Sequence, residues 1–324
     1  MIDFGQLGDV VLSLPALASL RNRFPEARIT VMAGKAAGEV VRMAKVSDDQ
    51  ILVDRVALRD GNKAASIAAI FRLVSDVRQR KFDLVIDLHS LYETNLLGYL
   101  SGAKFRLFAN RPGRSVDRLA SFPSKPPRED KTLHHTDRYF QVLKPLGVER
   151  PAEQFRLEPP ALEQEEMCRV FEQLDLKKKC RVGLFLGAGH IGRRWGIAKF
   201  NDLAQRLSER PDIDVLAFLG PEEIDLRDEA QDVLSPHATV MDQMSLPAFV
   251  AALSRLDTFV STDTGPMHLA AVAGASIVLI SQKGAPTFFL PLTERLEVID
   301  TGTVAEIGVD EVYAAVLRSL GTPK

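Results

Sequence analysis

Short apolar runs recur along this chain, each followed by a longer stretch with apolar residues on one helical face. No other feature restricts the possible folds as much. In the first half the runs are Ile29–Met32, Ile51–Val53 and Leu84–Leu88, and the amphipathic stretches are Val10–Phe24 and Ser66–Arg80. In the second half Val182–Leu186, Val215–Leu219, Thr258–Val260 and Ile277–Ile280 alternate with Ala198–Glu209, Glu223–Leu234 and Leu246–Leu253. Continuous short apolar runs suit strands buried on both faces, and helices between them suit parallel crossovers. The opening run, Met1–Phe4, is short before Gly5. Either that strand is trimmed in this chain or its start lies upstream.

At 324 residues the chain suits two domains rather than one. A helix over His134–Leu146 closes at Gly147, and Val148–Pro160 follows with Pro151, Pro159, Pro160 and little periodicity, the pattern of a linker. The expected divisions are 1–150, 151–307 and a closing helix at 308–324 reaching back toward the N-terminal domain. Apolar residues make up 46% and charged residues 26%, enough for a core in each half. The formal net charge of −2 gives no basis for non-specific nucleic-acid binding, although Lys and Arg cluster at Lys104–Arg118 and Lys177–Arg194. Cys168 and Cys180 alone make neither a disulfide framework nor a zinc site, which suits a reduced, cytoplasmic protein. No secretory signal is visible, and apolar stretches such as Leu269–Ile280 are too short to span a bilayer. Membrane contact is therefore expected to be peripheral.

The strongest local signal is Ser261-Thr-Asp-Thr-Gly-Pro-Met-His268, placed between a strand and the helix through Leu269–Ala273. Unpaired amides at a helix start favour an anion. Gly265 allows close approach of a ligand to the backbone, and Pro266 suits a first helical turn. The bland alternative is a capped helix, with Asp263 or Thr264 as the cap and His268 a packed core histidine. A second loop, Gly187-Ala-Gly189-His-Ile-Gly192, reads as G-x-G-x-x-G. Its context is poor for a dinucleotide, because Arg193, Arg194 and Trp195 intervene and the helix begins only near Ala198. We read it as a glycine-rich backbone with two arginines directed at phosphates, against the alternative of a solvated surface pair. Glu222, after Gly220-Pro221 at a strand's carboxyl end, could accept both ribose hydroxyl protons or merely complement a helix dipole. Asp9, in Gly5-Gln-Leu-Gly8-Asp9, could be a general base for an alcohol or a helix cap.

Two further patterns carry less. Asp212-Ile-Asp214 resembles a D-x-D metal motif but precedes its strand, at the edge away from ligands. His134-His135 with Asp137 suggests a metal, yet adjacent histidines do not share a helical face. A structural or acceptor-side role is expected for them.

Together these residues resemble the heptosyltransferase family, glycosyltransferase family 9. The resemblance rests on Gly8-Asp9-Val-Val-Leu-Ser-Leu-Pro15-Ala-Leu, on Phe82–Leu88 with Leu100–Lys104, and on Arg193-Arg-Trp195. It rests also on Met244-Ser-Leu246 followed by Asp263-Thr-Gly265 and His268. The resemblance implies an α/β protein of the GT-B fold, two Rossmann-like βαβ domains facing each other across a cleft. It implies an inverting transfer of heptose from ADP-heptose to a lipopolysaccharide core acceptor (lipid A–Kdo/heptose). By position, Asp9 becomes the catalytic base and Arg193 stands where the family has a phosphate-binding lysine. Gly187, Gly189, Arg194, Glu222, Met244, Asp263, Thr264, Gly265 and His268 become donor contacts, Glu222 for the ribose and Met244 for adenine. Gly8, His89, Arg111 and Arg114 are expected on the acceptor side.

An ADP-sugar is then a substrate, no cofactor or metal is expected, and the acceptor is a glycolipid at the inner membrane surface. The chain departs from the family at Arg193 and at Ser281–Pro286. Three alternatives stand beside this reading: a GT-B enzyme using another nucleotide sugar for a surface polysaccharide, a non-catalytic nucleotide-sugar-binding homologue, and an NAD-dependent oxidoreductase through Gly187–Gly192.

Overall fold

A computed structural model describes residues 1–60 and 62–321. The chain divides into two compact units, Met1–Glu153 and Gln154 onward. The first contains β1 (Ile2–Asp3), α1 (Leu7–Arg23), β2 (Thr30–Gly34), α2 (Gly38–Met43), β3 (Asp49–Val53), α3 (Arg55–Asp60) and α4 (Lys63–Gln79). It continues with β4 (Leu84–Asp87), α5 (Tyr92–Leu100), β5 (Phe105–Phe108) and α6 (His135–Leu143). Its strands form one parallel sheet in the order β3-β2-β1-β4-β5. The chain winds outward from β1 through β2 to β3, then returns beside β1 and winds the other way through β4 to β5. Loops leaving the carboxyl ends of β1 and β4 therefore part in opposite directions, and a crevice opens between them.

The second unit repeats this logic. It comprises α7 (Ala161–Gln173), β6 (Cys180–Phe185), α8 (Ile197–Ser208), β7 (Ile213–Phe218), α9 (Arg227–Leu234), β8 (Thr239–Met241) and α10 (Leu246–Leu253). After these come β9 (Thr258–Thr262), α11 (Gly265–Ala273), β10 (Ser276–Ile280), β11 (Leu296–Ile299) and α12 (Val309–Gly321). The sheet order is β11-β10-β9-β6-β7-β8, all parallel. Here the winding reverses between β6 and β9. Both faces are covered, so β7, β9 and β10 are buried at every position.

Each core follows from the apolar runs. In unit one, Ile2, Met32, Ile51, Val85 and Phe108 pack under α4 and α5. In unit two, Leu184, Leu186, Phe200, Leu203, Val260 and Ile280 meet Trp195 and the closing helix. That helix lies on β9, β10, β11 and α8 of its own unit. Its apolar residues Val312, Ala315 and Val316 are buried in that unit's own core. The expected linker is also partly built into unit two: Leu157 is buried, and its amide donates to the Val272 carbonyl at 2.9 Å. Helix α6 ends earlier than expected, passes into a 3-10 turn over Lys144–Leu146, and stops at Gly147 with φ of 67°. The Glu223–Leu234 helix likewise begins as a 3-10 turn, Ile224–Leu226.

The shortness of β1 has a structural counterpart. Only Ile2 and Asp3 pair with β2, at Met32 and Ala33, although β2 pairs over five residues with β3. A cavity of about 690 Å³ lies at that amino edge, lined by Ile2, Leu20, Phe24, Thr30, Val85 and Ile86 among others. None of the site residues expected from sequence lines it.

Close packing at the centre of the second sheet is testable at Gly183 in β6. A Cβ there would sit 2.5 Å from Leu256 Cδ1 and 2.9 Å from Phe259 Cδ2. Overpacking of a buried strand costs about 1–3 kcal/mol. Chemical denaturation of Gly183→Ala should register a loss of that size.

Candidate functional site

In each unit, the segments at the winding reversal hold residues expected in the site from sequence: Asp9 in the first, Gly187 and Asp263–Gly265 in the second. After β1 the chain turns through Gly5 into α1, whose third residue is Asp9. Gly5 has to be glycine, since a Cβ would overlap the Asp9 side chain. Asp9 Oδ2 accepts the Gln6 amide at 2.9 Å, so the helix-capping role is present. Burial nevertheless raises its pKa, opposed by that amide and by Arg55 and Arg111. Asp9 is thus a capping-box carboxylate held in partial desolvation with its acidity weakened. Gly8, its neighbour, is half-buried in the same first turn.

Helix α6 holds Asp9 in place from one side. Thr136 Oγ1 donates to the Leu12 carbonyl at 2.8 Å, and the buried Tyr139 hydroxyl donates to the Asp9 carbonyl at 3.4 Å. His135 stacks edge-on against Tyr139, with ring centroids 4.9 Å apart. Burial, with Arg138 and Arg111 nearby, lowers His135 to about 3. Burial with Arg55 and Arg111 lowers His89 to about 4. Both imidazoles are therefore neutral near pH 7. Arg111 is anchored twice: its Nη1 donates to the His89 carbonyl at 2.6 Å, and its Nε pairs with Glu129 at 3.0 Å. Arg114 is exposed in the loop beyond.

The loops that carry His89, Arg111 and Arg114 converge on one carboxylate that sequence inspection passes over. Asp87, at the end of β4, is fully buried. It accepts the Ser90 amide and the Asn95 side-chain amide, each at 2.7 Å. Asn95 in turn accepts the Val116 amide at 2.7 Å, and Ser90 Oγ accepts the Ala109 amide at 2.7 Å. Burial pushes Asp87 up to about 6 despite these donors.

In the second unit, the expected phosphate loop sits where the winding reverses. Helix α11 begins at Gly265, and its N-cap Thr264 makes no side-chain cap. The Thr264 hydroxyl is instead bonded to Ser261 Oγ at 2.9 Å. The capped-helix alternative thus fails for Thr264, and Pro266 stands in the first turn of this nine-residue helix. Asp263 stands exposed at the strand end. Its surroundings raise it, and Arg193 opposes that shift. His268 is buried in the body of α11. Met244 is half-buried just ahead of Ser245, which caps α10.

The loop after β6 does not open a helix at its glycines. It passes through a 3-10 turn, Ile191–Arg193, capped by His190 Nδ1, which accepts the Gly192 amide at 3.1 Å. Helix α8 begins only after Gly196, whose φ is 100°. The geometry of a dinucleotide fingerprint is therefore absent. The two arginines separate in role. Arg194 forms a two-point pair with Asp225, Nη1 to Oδ2 at 2.5 Å and Nη2 to Oδ1 at 3.0 Å, while Arg193 is exposed. Trp195 is buried between them and the core, its Nε1 donating to the Ile307 carbonyl at 2.9 Å.

The acidic residue after Gly220 also divides. Glu222 is exposed, whereas Glu223 is buried and its Oε2 accepts the Gly220 amide at 3.0 Å. Its carboxyl lies against Gly187, where any Cβ would overlap it. Thr262 Oγ1 donates to the Gly187 carbonyl at 3.3 Å. Gly187, in this way, joins the ends of β6, β7 and β9, while Gly189 is open to solvent. Nothing in the spacing distinguishes Glu223 from Glu222. Elsewhere, Asp214 Oδ2 accepts the Lys178 amide at 2.9 Å and Asp212 pairs with Arg210, so the D-x-D pattern is structural. No group of three His, Cys, Asp or Glu among the described residues is placed to hold a metal ion.

Two outcomes follow. Gly187→Ala should cost about 1–3 kcal/mol in chemical denaturation. Most of that loss should vanish in Gly187→Ala/Glu223→Ala, because the two side chains compete for one space. The second concerns pH. His135 has a folded-state pKa below its unfolded value of 6.5, so the stability it contributes is complete above pH 6.5. It is lost as pH falls toward 3, whereas Asp87, shifted upward, changes stability in the opposite sense. His135→Gln should show a shallower loss of stability between pH 6.5 and 4.5 than the parent.

Known proteins share this arrangement. Residues 70–309 match glycosyltransferase family 9 (heptosyltransferase). Lipopolysaccharide heptosyltransferase 3 of Escherichia coli is 22% identical over 294 residues, 89% of this chain and 84% of that protein. The crystal structure of a family 9 glycosyltransferase from Veillonella parvula superposes with a TM-score of 0.84 at 23% identity, covering 98% of this chain and 96% of the other. E. coli heptosyltransferase WaaC, solved with ADP and with ADP-2-deoxy-2-fluoro heptose, gives 0.79 at 17% identity, covering 98% of each chain. These likenesses identify the two parallel-sheet units as a GT-B architecture. The chain belongs to glycosyltransferase family 9, the heptosyltransferases.

Proposed function

We propose that this chain transfers heptose from ADP-heptose to a lipopolysaccharide core acceptor, with inversion at the anomeric carbon. The observation that carries the reading is that a family 9 chain has its two chemically equipped loops at the winding reversals, Asp9 in one unit and Asp263–Gly265 in the other. Asp9 removes the proton from an acceptor hydroxyl while that oxygen attacks the anomeric carbon. The bond from that carbon to the ADP oxygen breaks, and negative charge develops on the departing diphosphate. Arg193 and the first-turn amides of α11 receive that charge. Asp263, Thr264 and Gly265 line the diphosphate, Glu222 takes the ribose and Met244 the adenine. Gly187 and Gly189 give the donor room against the backbone, Arg194 supports Arg193, and His268 holds α11 from within the core.

Arg111 and Arg114, with His89 and Gly8, form the acceptor side, where anionic sugars or phosphates meet fixed positive charge. E. coli WaaC has been solved with ADP and with ADP-2-deoxy-2-fluoro heptose, which supports ADP-heptose as the donor here. This reading carries with it a cytoplasmic location and a glycolipid acceptor at the inner membrane surface. No helix among the described residues is long and apolar enough to cross a membrane.

General-base assistance contributes about 10² to 10⁴ in rate. Asp9→Asn should lower kcat for heptose transfer by that factor and leave the donor KM nearly unchanged. In the parent, the acid limb of the kcat/KM profile should lie above the ordinary carboxylate range, since Asp9 is shifted upward. Near-normal transfer by Asp9→Asn would remove Asp9 from the mechanism. Tight ADP-heptose binding without turnover by the parent would favour a non-catalytic homologue.

A further inference from the structure

Large apolar side chains left in solvent are not scattered evenly. Of the thirteen that are exposed among the described residues, six lie on α4 and α5, which pack against each other. On α4, Ile67 is 55%, Ile70 49% and Phe71 71% exposed; on α5, Tyr92 is 56%, Leu96 49% and Tyr99 49% exposed. The spacing is helical in both cases, three and four residues apart, so each helix shows an apolar stripe outward in addition to the face it buries. Val77 is the one fully buried residue of the seventeen in α4. A monomer seldom leaves this much clustered apolar surface without a use for it.

Charge decides what covers it. The α4 stripe is bounded by Lys63 at one end and Arg78 at the other, one turn beyond Ile67 and Val74 respectively. The helix's single acidic residue, Asp76, lies on the opposite side and is occupied by Arg80 at 3.2 Å. Residues 63–118 hold ten Lys and Arg against five Asp and Glu, an excess of five in a chain whose net charge is −2. Beside α5, the Arg106 guanidinium lies 5.4 Å from the Tyr99 ring centre. On α4 the apolar stripe has cations at its ends and no acid, and on α5 Glu93 is the one acid beside the exposed Tyr92, Leu96 and Tyr99; an apolar and aromatic face with this excess of cations matches the interface of an anionic bilayer. There rings and aliphatic chains enter the headgroup boundary while cations meet lipid phosphates.

We infer that the outward face of α4 and α5, centred on Ile67, Phe71 and Leu96 and bounded by Lys63 and Arg78, docks on an anionic phospholipid bilayer. This deepens the proposed function, on which it rests for the reason to be at a membrane: the acceptor glycolipid is presented there.

The full chain should co-sediment with extruded phosphatidylcholine vesicles containing phosphatidylglycerol, and far less with phosphatidylcholine alone or in high salt. No acceptor or nucleotide sugar is present in this assay. Ile67→Asp/Phe71→Asp should lower the partition coefficient by more than about tenfold. Lys63→Gln and Arg78→Gln should each lower it roughly fivefold. Circular dichroism and transfer to a detergent-solubilised acceptor should match the parent in all of these variants, which separates docking from folding and from catalysis.

Absence of vesicle binding by the parent, or unchanged partition in the Asp variants, overturns the assignment. A parent that sediments as a dimer and is made monomeric by Phe71→Asp overturns it too, since a second copy would then own the face. Vesicle binding without transfer would overturn the heptosyltransferase reading and leave the docking surface standing. Transfer without vesicle binding would do the reverse.

Discussion

The reversal of winding beside the first strand of each sheet is the constraint on which everything else depends. Parallel strands cannot be joined by tight turns, so every connection crosses a face and every carboxyl-end loop emerges at one edge. Where consecutive crossovers go the same way, those loops lie side by side and close over one another. Where the direction changes, two loops diverge, and the sheet offers exposed backbone with nothing above it. In this chain that happens once per unit, between β1 and β4 and between β6 and β9. Asp9 belongs to one of these loops, and Gly187 and Thr264 to the other pair.

Diverging loops need something to fix them, and in both units it is a buried carboxylate. Asp87 gathers amides from Ser90 and Asn95 and through them sets the loops that bear His89 and Arg111. Glu223 accepts the Gly220 amide and fills the space that a side chain at Gly187 would need. An ionised group out of water is costly unless donors surround it. These donors are mostly main-chain amides, so the loop backbone is specified with little help from its own side chains. Ser90 has a positive φ of 44° in the midst of the Asp87 network.

Much of this was legible in the residues alone. The central strands of both sheets stand within a residue or two of their apolar runs, because burial on both faces leaves a continuous signal. The loop 261–268 also reads as strand-to-helix, since Gly265-Pro266 leaves few other conformations, and in the structure it joins β9 to α11. What stayed hidden is tertiary. Glu222 and Glu223 are adjacent and chemically equal, and only the turn through Gly220-Pro221 decides which is buried. Arg193 and Arg194 are likewise equal until Asp225, thirty-one residues on, engages one of them. Tyr139 meets Asp9 across 130 residues, a contact that no local pattern encodes. The alternative of a cap at Thr264 could be decided only in the folded chain, where its hydroxyl is bonded to Ser261 Oγ instead of to the helix.

The depressed histidines of the first unit have a consequence of their own. His89 and His135 stay uncharged across the physiological range, so the positive potential that acts on Asp9 is that of the Arg55 and Arg111 guanidiniums. Under the proposed function, mild acidification then acts on the raised carboxylates, Asp9 and Asp87, and not on the imidazoles, so a loss of rate would come without any new positive charge on the acceptor side.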